Sequence, residues 1–262
     1  MQNDVSAAWK PGPRARAAVK AAVRAALDVV FPPRALDLDV PVLGPGLTAD
    51  AWARIAFLDD PVCDGCGTPF DYSLGEGVRC AACQASPRVF ARARAACLYD
   101  EASRGPILQF KHADRTDLAP MFALWLRRAA RDLLEDADLI APVPLHPLRL
   151  LRRRYNQSAE IARRLARISG RTYLPEALVR RRATASQAGR SGGGRRRNVA
   201  GAFAAHPGAR RRLAGRRVLL IDDVMTTGAT LEACARVLLA AGARCVDVAV
   251  IARVKDGAKH SI

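Results

Sequence analysis

Two adjacent carboxylates followed by a threonine-rich turn form the most chemically distinctive stretch of the chain. Asp222 and Asp223 end an apolar run, residues 218–221, of the kind found in a strand buried on both faces. The segment 226–230, Thr-Thr-Gly-Ala-Thr, comes next and leads into a helical pattern. Threonine hydroxyls and the free N–H groups at a helix start bind phosphate oxygens, whereas carboxylates accept hydrogen bonds from sugar hydroxyls. The two groups together predict a site for a ribose 5-phosphate.

The glycine of this turn has a predicted role of its own. We expect Gly228 to lack a side chain because the backbone must approach the ligand closely at that point. The alternative to a ligand site is a plain strand–turn–helix connection in which one aspartate caps the helix. That alternative explains one acidic residue, but it leaves the second carboxylate and the threonines without a role.

Paired cysteines predict a metal site. The chain carries two C-x2-C pairs separated by thirteen residues: Cys63, Cys66, Cys80 and Cys83. Four thiolates suit a closed, structural tetrahedral zinc site, and Gly65 and Gly67 are expected to permit unusual backbone angles beside the first pair. A module this small has little core, so metal binding would supply much of its folding energy. Disulfides, unrelated thiols and a redox C-x-x-C motif are the alternatives.

A second, largely apolar run, residues 138–144, predicts a strand that ends in prolines. The loop after it carries Arg152 and Arg154, and the helical pattern that follows begins at Asn156 or Ser158 and stops at Gly170. Ligands bind at the carboxyl ends of neighbouring strands in open parallel sheets, so this loop is expected to lie beside Asp222. Its guanidinium groups can pair with a pyrophosphate. An exposed basic loop without a ligand is the alternative.

Periodicity predicts the remaining elements. Strands are expected at 96–99, 177–180 and 245–251, and helices at 103–112 and 117–134. We interpret Cys97 as a core residue rather than a fifth metal ligand. We interpret the dipeptide Lys111-His112, at the end of a helix, as a complement to the helix dipole.

The segment 181–198 is polar, rich in glycine and without apolar periodicity. A loop of this length in a compact domain is either disordered or a functional lid. The residues assigned to this lid are Thr184, Gln187, Arg195, Arg197 and Asn198.

Charge and composition limit the function classes. The chain has 262 residues and a net charge of +17, with arginines in clusters such as 152–154 and 195–197. A basic surface favours polyanions, although arginine enrichment through genomic base composition is an alternative. No run of 18 apolar residues is present, so we expect no membrane span. The absence of an export signal, together with seven cysteines, favours a reducing cytoplasm.

The segment from Ile221 to Thr230 resembles the 5-phosphoribosyl-1-pyrophosphate (PRPP) motif of type I phosphoribosyltransferases. The chain as a whole is similar to the ComF family, the competence-associated branch of these proteins. Besides that segment, the resemblance is carried by Phe110-Lys111, Pro142-Val143-Pro144, Tyr155-Asn156-Gln157-Ser158, Thr184 with Gln187, Arg197-Asn198-Val199 and Ala202-Phe203. It covers about residues 60 to 252 with the cysteine module included.

The resemblance implies an α/β fold with a parallel sheet and a small N-terminal zinc ribbon. It implies a catalytic role for Asp222, Asp223, Arg152 and Arg154, and a Mg²⁺ held largely by the ligand. The implied PRPP-binding residues are Pro144, Leu145, Tyr155, Asn156, Gln157, Asp222, Asp223, Val224, Met225, Thr226, Thr227, Gly228, Ala229 and Thr230.

The chain departs from the family pattern in two places. Family members often carry two cysteine pairs after a Pro-Pro-Arg, but here Pro32-Pro33-Arg34 is followed by Ala35 and Leu38, so a first metal site is lost. The lid has Gly192 to Gly194 where the family tends to be helical. We therefore expect an N-terminal helix and degenerate first ribbon at 1–58, a zinc ribbon at 59–95 and a PRPP-binding domain at 96–262.

Three function classes remain open. The first is an enzyme that transfers the phosphoribosyl group to a nitrogen base and releases pyrophosphate. The second is a PRPP-sensing protein without turnover. The third is a module of the competence machinery that binds DNA or a competence helicase. A dimer is one expected assembly.

Overall fold

The computed structural model describes residues 46–255, apart from 74, 113–114, 147–149, 151–154, 183–198 and 200, together with residues 19 and 22. The chain divides into two compact units, Met1–Thr48 and Ala49–Ile262. The elements below all belong to the second unit. Apart from two positions, the predicted N-terminal helix and the Pro-Pro-Arg segment lie outside the described residues. The domain limits at 59 and 96 stay predictions.

A parallel sheet forms the centre of the second unit. Strands of the described residues, in chain order, are β1 (Ala93–Leu98), β2 (Leu139–Pro142), β3 (Thr172–Tyr173), β4 (Leu178–Arg180), β5 (Phe203–Ala205), β6 (Arg217–Met225) and β7 (Cys245–Arg253). Five of them pair in the order β1–β7–β6–β2–β3, and every pairing in this sheet is parallel. The expected α/β fold with a parallel sheet is confirmed.

Helices cover both faces of the sheet. They are α1 (Ala49–Arg54), α2 (Ala81–Ala85), α3 (Glu101–His112), α4 (Ala119–Ala129), α5 (Arg131–Asp136), α6 (Gln157–Ser169), α7 (Arg210–Leu213) and α8 (Ala229–Ala240). Val218 and Leu220 of β6 share a buried apolar cluster with Leu231 and Leu238 of α8. Leu219 is also fully buried and, because side chains alternate along a strand, it points to the opposite face. Burial on both faces explains the continuous apolar runs of these strands.

Local capping sets the limits of α6 as the sequence predicts. The Asn156 side chain accepts a hydrogen bond from the Ser158 N–H (3.1 Å) and donates one to the Val143 carbonyl (2.9 Å). Gly170 ends the helix with φ 67°, a left-handed conformation that favours glycine. The cap therefore also ties the start of α6 to the chain that leaves β2.

One helix differs from its predicted form, and two features of the strands have no counterpart in the prediction. The helix expected over 117–134 is a 3₁₀ turn followed by α4 and α5, because Ala130 leaves helical geometry at φ −114° and ψ 31°. The strand expected at 177–180 does not join the parallel sheet, since β4 pairs antiparallel with β5. The short edge strand β3 has no counterpart in the prediction. Cys97 is fully buried and its thiol lies 3.3 Å from the Ile251 carbonyl, as expected for a core residue.

Membrane insertion through a helix finds no support in the fold. Within the part of the chain that the structure describes, no helix combines the length and the apolar character needed to cross a bilayer.

Candidate phosphoribosyl site

The parallel pairing of β2 with β6 brings two strand ends together. Pro142 aligns with Ile221, and the Val143 N–H donates to the Ile221 carbonyl at 2.9 Å. Pro144 and Leu145 therefore follow β2 directly beside the point where β6 reaches Asp222. The sequence predicts this neighbourhood, and the register confirms it.

Asp222 is held by donors on two elements. Its Oδ1 accepts hydrogen bonds from the Ser158 hydroxyl at the start of α6 and from the backbone N–H of Asp223, both at 2.9 Å. Burial and the neighbouring charge of Asp223 raise the pKa of Asp222 to about 7, although the Asp223 N–H, Ser158 and Lys111 act to lower it. Oδ2 of Asp222 accepts no hydrogen bond from the described residues, so it is available to a ligand hydroxyl.

Asp223 is paired with a cation from a distant helix. Lys111 Nζ, at the end of α3, lies 3.3 Å from Asp223 Oδ2, and both side chains are more than four-fifths buried. The Gln157 amide donates to the Lys111 carbonyl at 3.0 Å and so holds this helix end against α6. The interpretation of Lys111 as a mere complement to the helix dipole is therefore wrong. The lysine neutralises one of two adjacent carboxylates.

The turn after the carboxylates has the geometry of an anion-binding helix start. Gly228 adopts φ 78° and caps α8, and the Ala229 N–H reaches the Thr227 hydroxyl at 3.4 Å. A Cβ built on Gly228 would approach nothing closer than 3.6 Å. The left-handed backbone by itself favours glycine here, and a close approach of the ligand to Gly228 stays a prediction. The N–H groups at the start of α8 are the donors of the predicted phosphate site.

Three further residues of the predicted site make contacts within the protein. The Tyr155 hydroxyl donates to the Phe110 carbonyl, Asn156 caps α6, and Gln157 is buried against Lys111. These contacts fix the chain after β2 to the end of α3. Ligand contact by these three residues stays a prediction.

Several predicted residues lie outside the described part of the chain. They are Arg152 and Arg154 of the basic loop, and Thr184, Gln187, Arg195, Arg197 and Asn198 of the predicted lid.

The four predicted cysteines converge on one point. One sulfur from each of Cys63, Cys66, Cys80 and Cys83 lies within 4.8 Å of all the others, and Cys66 Sγ is 3.7 Å from Cys80 Sγ. A tetrahedral zinc–thiolate site with bonds of about 2.3 Å has sulfur–sulfur edges of about 3.8 Å. The donor set therefore fits such an ion and is consistent with the predicted zinc ribbon.

Hydrogen bonds to sulfur prepare this cluster for a cation. The Cys80 N–H donates to Cys63 Sγ at 3.2 Å, and Thr68 Oγ1 lies 3.1 Å from Cys66 Sγ. The hydrogen bond from Cys63 lowers the pKa of Cys66 to about 3, with help from Thr68 and Arg253 and against the effect of burial. The lowered pKa favours the thiolate form of Cys66, and the thiolate is the form that binds metal.

The two glycines beside the first pair have different roles. Gly67 has φ 69°, as predicted, and a Cβ there would lie 2.9 Å from the Ala93 carbonyl oxygen. Gly65 has no positive φ. It leaves room for Cys83, whose Sγ would lie 3.2 Å from an added Cβ.

Comparison with known proteins identifies the family. Residues 149–262 match the model of the phosphoribosyl transferase domain. The DNA utilization protein YhgH of Escherichia coli O157:H7 is 32% identical over 206 residues, which cover 77% of this chain and 88% of that protein. Competence protein F of Haemophilus influenzae is 36% identical over 141 residues, covering 53% of this chain and 61% of the relative. The chain belongs to the ComF family.

A solved structure also shows a partial likeness. Glutamine PRPP amidotransferase from B. subtilis, complexed with ADP and GMP, is 25% identical in sequence. The aligned part covers 53% of this chain and 26% of the amidotransferase chain, with a TM-score of 0.34. The family match and the parallel sheet establish a phosphoribosyltransferase-type domain that follows a four-cysteine module.

The raised pKa of Asp222 predicts a pH-dependent stability. Between about pH 4 and pH 7 the folded protein binds a proton at Asp222 that the unfolded chain does not, so the free energy of unfolding falls as pH rises through this window. The variant Asp222→Asn has no titrating carboxyl at this position, so its free energy of unfolding does not fall for this reason. We expect it to be more stable than wild type at pH 8, on the order of 1 kcal/mol, and to lose this advantage near pH 4.

Urea unfolding across pH 4 to 8 measures this difference. The control Asp71→Asn replaces an exposed carboxylate and should follow wild type throughout. An Asp222→Asn advantage that does not change with pH would show that Asp222 does not titrate in this window.

Proposed function

We propose that this protein binds PRPP with Mg²⁺ at the carboxyl ends of β2 and β6 and transfers its phosphoribosyl group to a nitrogen base, releasing pyrophosphate. The observation that carries the proposal is the placement of two carboxylates one turn before the glycine-capped start of α8. A phosphate-binding helix start and a pair of carboxylates that can bind a diol, only a few residues apart in the chain, suit one ribose 5-phosphate.

The ribose hydroxyls would donate to the two carboxylates. Ser158 and the Asp223 N–H orient Oδ1 of Asp222, which leaves Oδ2 for a ligand hydroxyl. Asp223 shares its Oδ2 with Lys111, so the ammonium group also stands beside the ligand. These groups fix the ribose ring, and the N–H groups of segment 226–230 fix its 5-phosphate.

Transfer breaks the bond from the anomeric carbon to pyrophosphate and forms one to the base nitrogen. Positive charge develops on the ribose and negative charge on the leaving group, by analogy with glycoside chemistry. Arg152 and Arg154, together with Lys111, would stabilise the leaving pyrophosphate, and the predicted lid, Thr184 to Asn198, would exclude water. The protein's task is then placement and charge stabilisation.

Magnesium fits this site only as part of the ligand complex. The carboxylate oxygens are of the type that Mg²⁺ prefers, but Asp223 is already paired with Lys111. When bound, the ion supplies charge neutralisation at the pyrophosphate oxygens.

We also propose that the four cysteines hold one structural zinc ion in a reducing cytoplasm. Every cysteine of the described residues is free of disulfides, and the cluster supplies four protein ligands with no open position.

A second candidate function is non-catalytic. A net charge of +17 and the names of two relatives, a DNA utilization protein and a competence protein, favour binding of DNA or of a competence partner such as a helicase. Pyrophosphate release with a panel of bases separates turnover from PRPP sensing, and the salt dependence of DNA affinity measures the polyanion contacts.

Zinc content tests the metal proposal. Metal analysis of the purified protein should give about one zinc per chain, and Cys80→Ser should lower this strongly because a tetrahedral site loses a ligand. Cys245→Ser is the matched control, since Cys245 lies outside the cluster, and it should keep its zinc. Equal zinc in Cys80→Ser and wild type would contradict the assignment.

Removal of both carboxylates tests the ligand site. A hydrogen bond to a charged group contributes about 1.5–3 kcal/mol, so Asp222→Asn/Asp223→Asn should bind PRPP with Mg²⁺ at least about tenfold more weakly. Calorimetric titration measures this affinity, and a melting curve confirms that the variant is folded.

The chain provides its own control for that titration. Asp59→Asn/Asp60→Asn changes another adjacent aspartate pair, which is exposed, and should bind as wild type does. Unchanged affinity in the folded 222/223 variant would refute the site, and no PRPP binding by wild type would favour the second candidate function.

A further inference from the structure

The cysteine cluster and the phosphate turn, residues 226–230, meet at one side chain. Arg88 follows α2, which carries Cys83, and its Nη1 donates to the Thr227 carbonyl (3.0 Å) and to Glu232 Oε1 (2.9 Å). Arg88 therefore joins the chain that leaves α2 to the turn before α8.

This contact determines the direction of a ligand-binding N–H group. The carbonyl and the N–H of a trans peptide point in opposite directions, so a Thr227 carbonyl held by Arg88 directs the Gly228 N–H to the other side. Glycine has the conformational freedom that lets this peptide rotate, and Gly228 adopts a left-handed φ of 78°. Arg88 removes that freedom by holding the carbonyl.

The partner carboxylate makes the contact rigid. Glu232 lies in the first turn of α8, is 93% buried and also accepts from Arg236 at 3.2 Å. Arg88 Nη1 is thus shared between the turn before α8 and the helix itself. Met225 and Phe90 lie on the same side of Gly228 and enclose the turn.

A second arginine joins the cluster to the neighbouring strand end. Arg253, at the end of β7, is 98% buried, and its Nη1 donates to the Cys66 carbonyl at 2.6 Å and lies 3.6 Å from Cys66 Sγ. Its backbone aligns with Met225, the residue before the turn. The first C-x2-C pair is therefore joined to the end of β7, beside the residue that precedes the phosphate turn.

We propose that Arg88 is a positioning residue that couples the metal-loaded cysteine cluster to the phosphate turn. With the cluster loaded, α2 and Arg88 are held in place and the Gly228 N–H points to the site. Without the metal, the turn loses this constraint. The proposal rests on the proposed function for its ligand, a phosphate at residues 226–230, but the constraint itself is a property of the free protein.

Amide hydrogen exchange of the full chain without ligand tests the constraint. In the zinc-loaded state, Arg88→Gln should exchange about tenfold faster than wild type over residues 226–231, because the turn opens more often. Removing zinc from wild type should raise the exchange rate of residues 226–231 by a similar factor. Removing zinc from Arg88→Gln should raise that rate by less than about twofold more. Arg88→Lys should show an intermediate rate, since it keeps the charge but loses the fixed fork of donors.

Arg94→Gln is the matched control. Arg94 also anchors the cysteine module, through Asp64 at 2.9 Å and Asp132 at 2.8 Å, but it does not contact the turn. Its variant should keep wild-type exchange over 226–231, and residues 246–252 of β7 should exchange alike in all proteins. Equal effects of Arg94→Gln and Arg88→Gln, or no effect of zinc on the turn, would overturn the proposal.

Ligand affinity gives a second readout. Arg88→Gln should keep about one zinc and bind PRPP with Mg²⁺ roughly three- to thirtyfold more weakly, whereas Arg94→Gln should bind within about twofold of wild type. Unchanged affinity in Arg88→Gln would contradict the coupling. If wild type binds no PRPP, the proposed function fails, and hydrogen exchange alone decides whether Arg88 couples the two sites.

Discussion

The backbone hydrogen bonds between β2 and β6 hold the site together. They align Pro142 with Ile221, so both chains leave the sheet at the same edge, one toward the basic loop and the other into the carboxylates. A shift of one residue would turn Asp222 to the opposite face and away from Ser158. The neighbouring pairing of β6 with β7 places Arg253, and with it the cysteine cluster, against the same edge. The ligand residues, the helix start and the metal module all depend on this register.

Two adjacent carboxylates at that edge of the sheet lower the stability of the ligand-free protein. Burial and mutual repulsion raise the pKa of Asp222 to about 7. The ion pair with Lys111 and the hydrogen bond from Ser158 offset part of the cost. Proteins accept such local destabilisation where a ligand uses the groups concerned. Under the proposed function, a ligand that brings hydroxyls, phosphates and Mg²⁺ would supply further partners for these carboxylates.

Local patterns in the sequence predict much of this arrangement. The apolar run before Asp222, the Asn156 cap, the Gly170 stop and the paired cysteines all act through near neighbours, so their spacing indicates their structure. The contacts of Lys111 and Arg88 could not be predicted in this way. Arg88 reaches Thr227 across 139 residues of sequence, and only the fold brings them together. The pairing of β4 with β5 was missed for the same reason, because strand partners depend on tertiary packing rather than on propensity.

The central claim is that one PRPP molecule spans the carboxylates and the start of α8. A crystal structure of the zinc-loaded protein soaked with PRPP and Mg²⁺ tests it most directly. The account predicts ribose hydroxyls within hydrogen-bond distance, about 2.5–3.0 Å, of Asp222 and Asp223, and the 5-phosphate on the N–H groups of residues 226–230. Density for PRPP at another place, or an unliganded site at saturating PRPP, would contradict it.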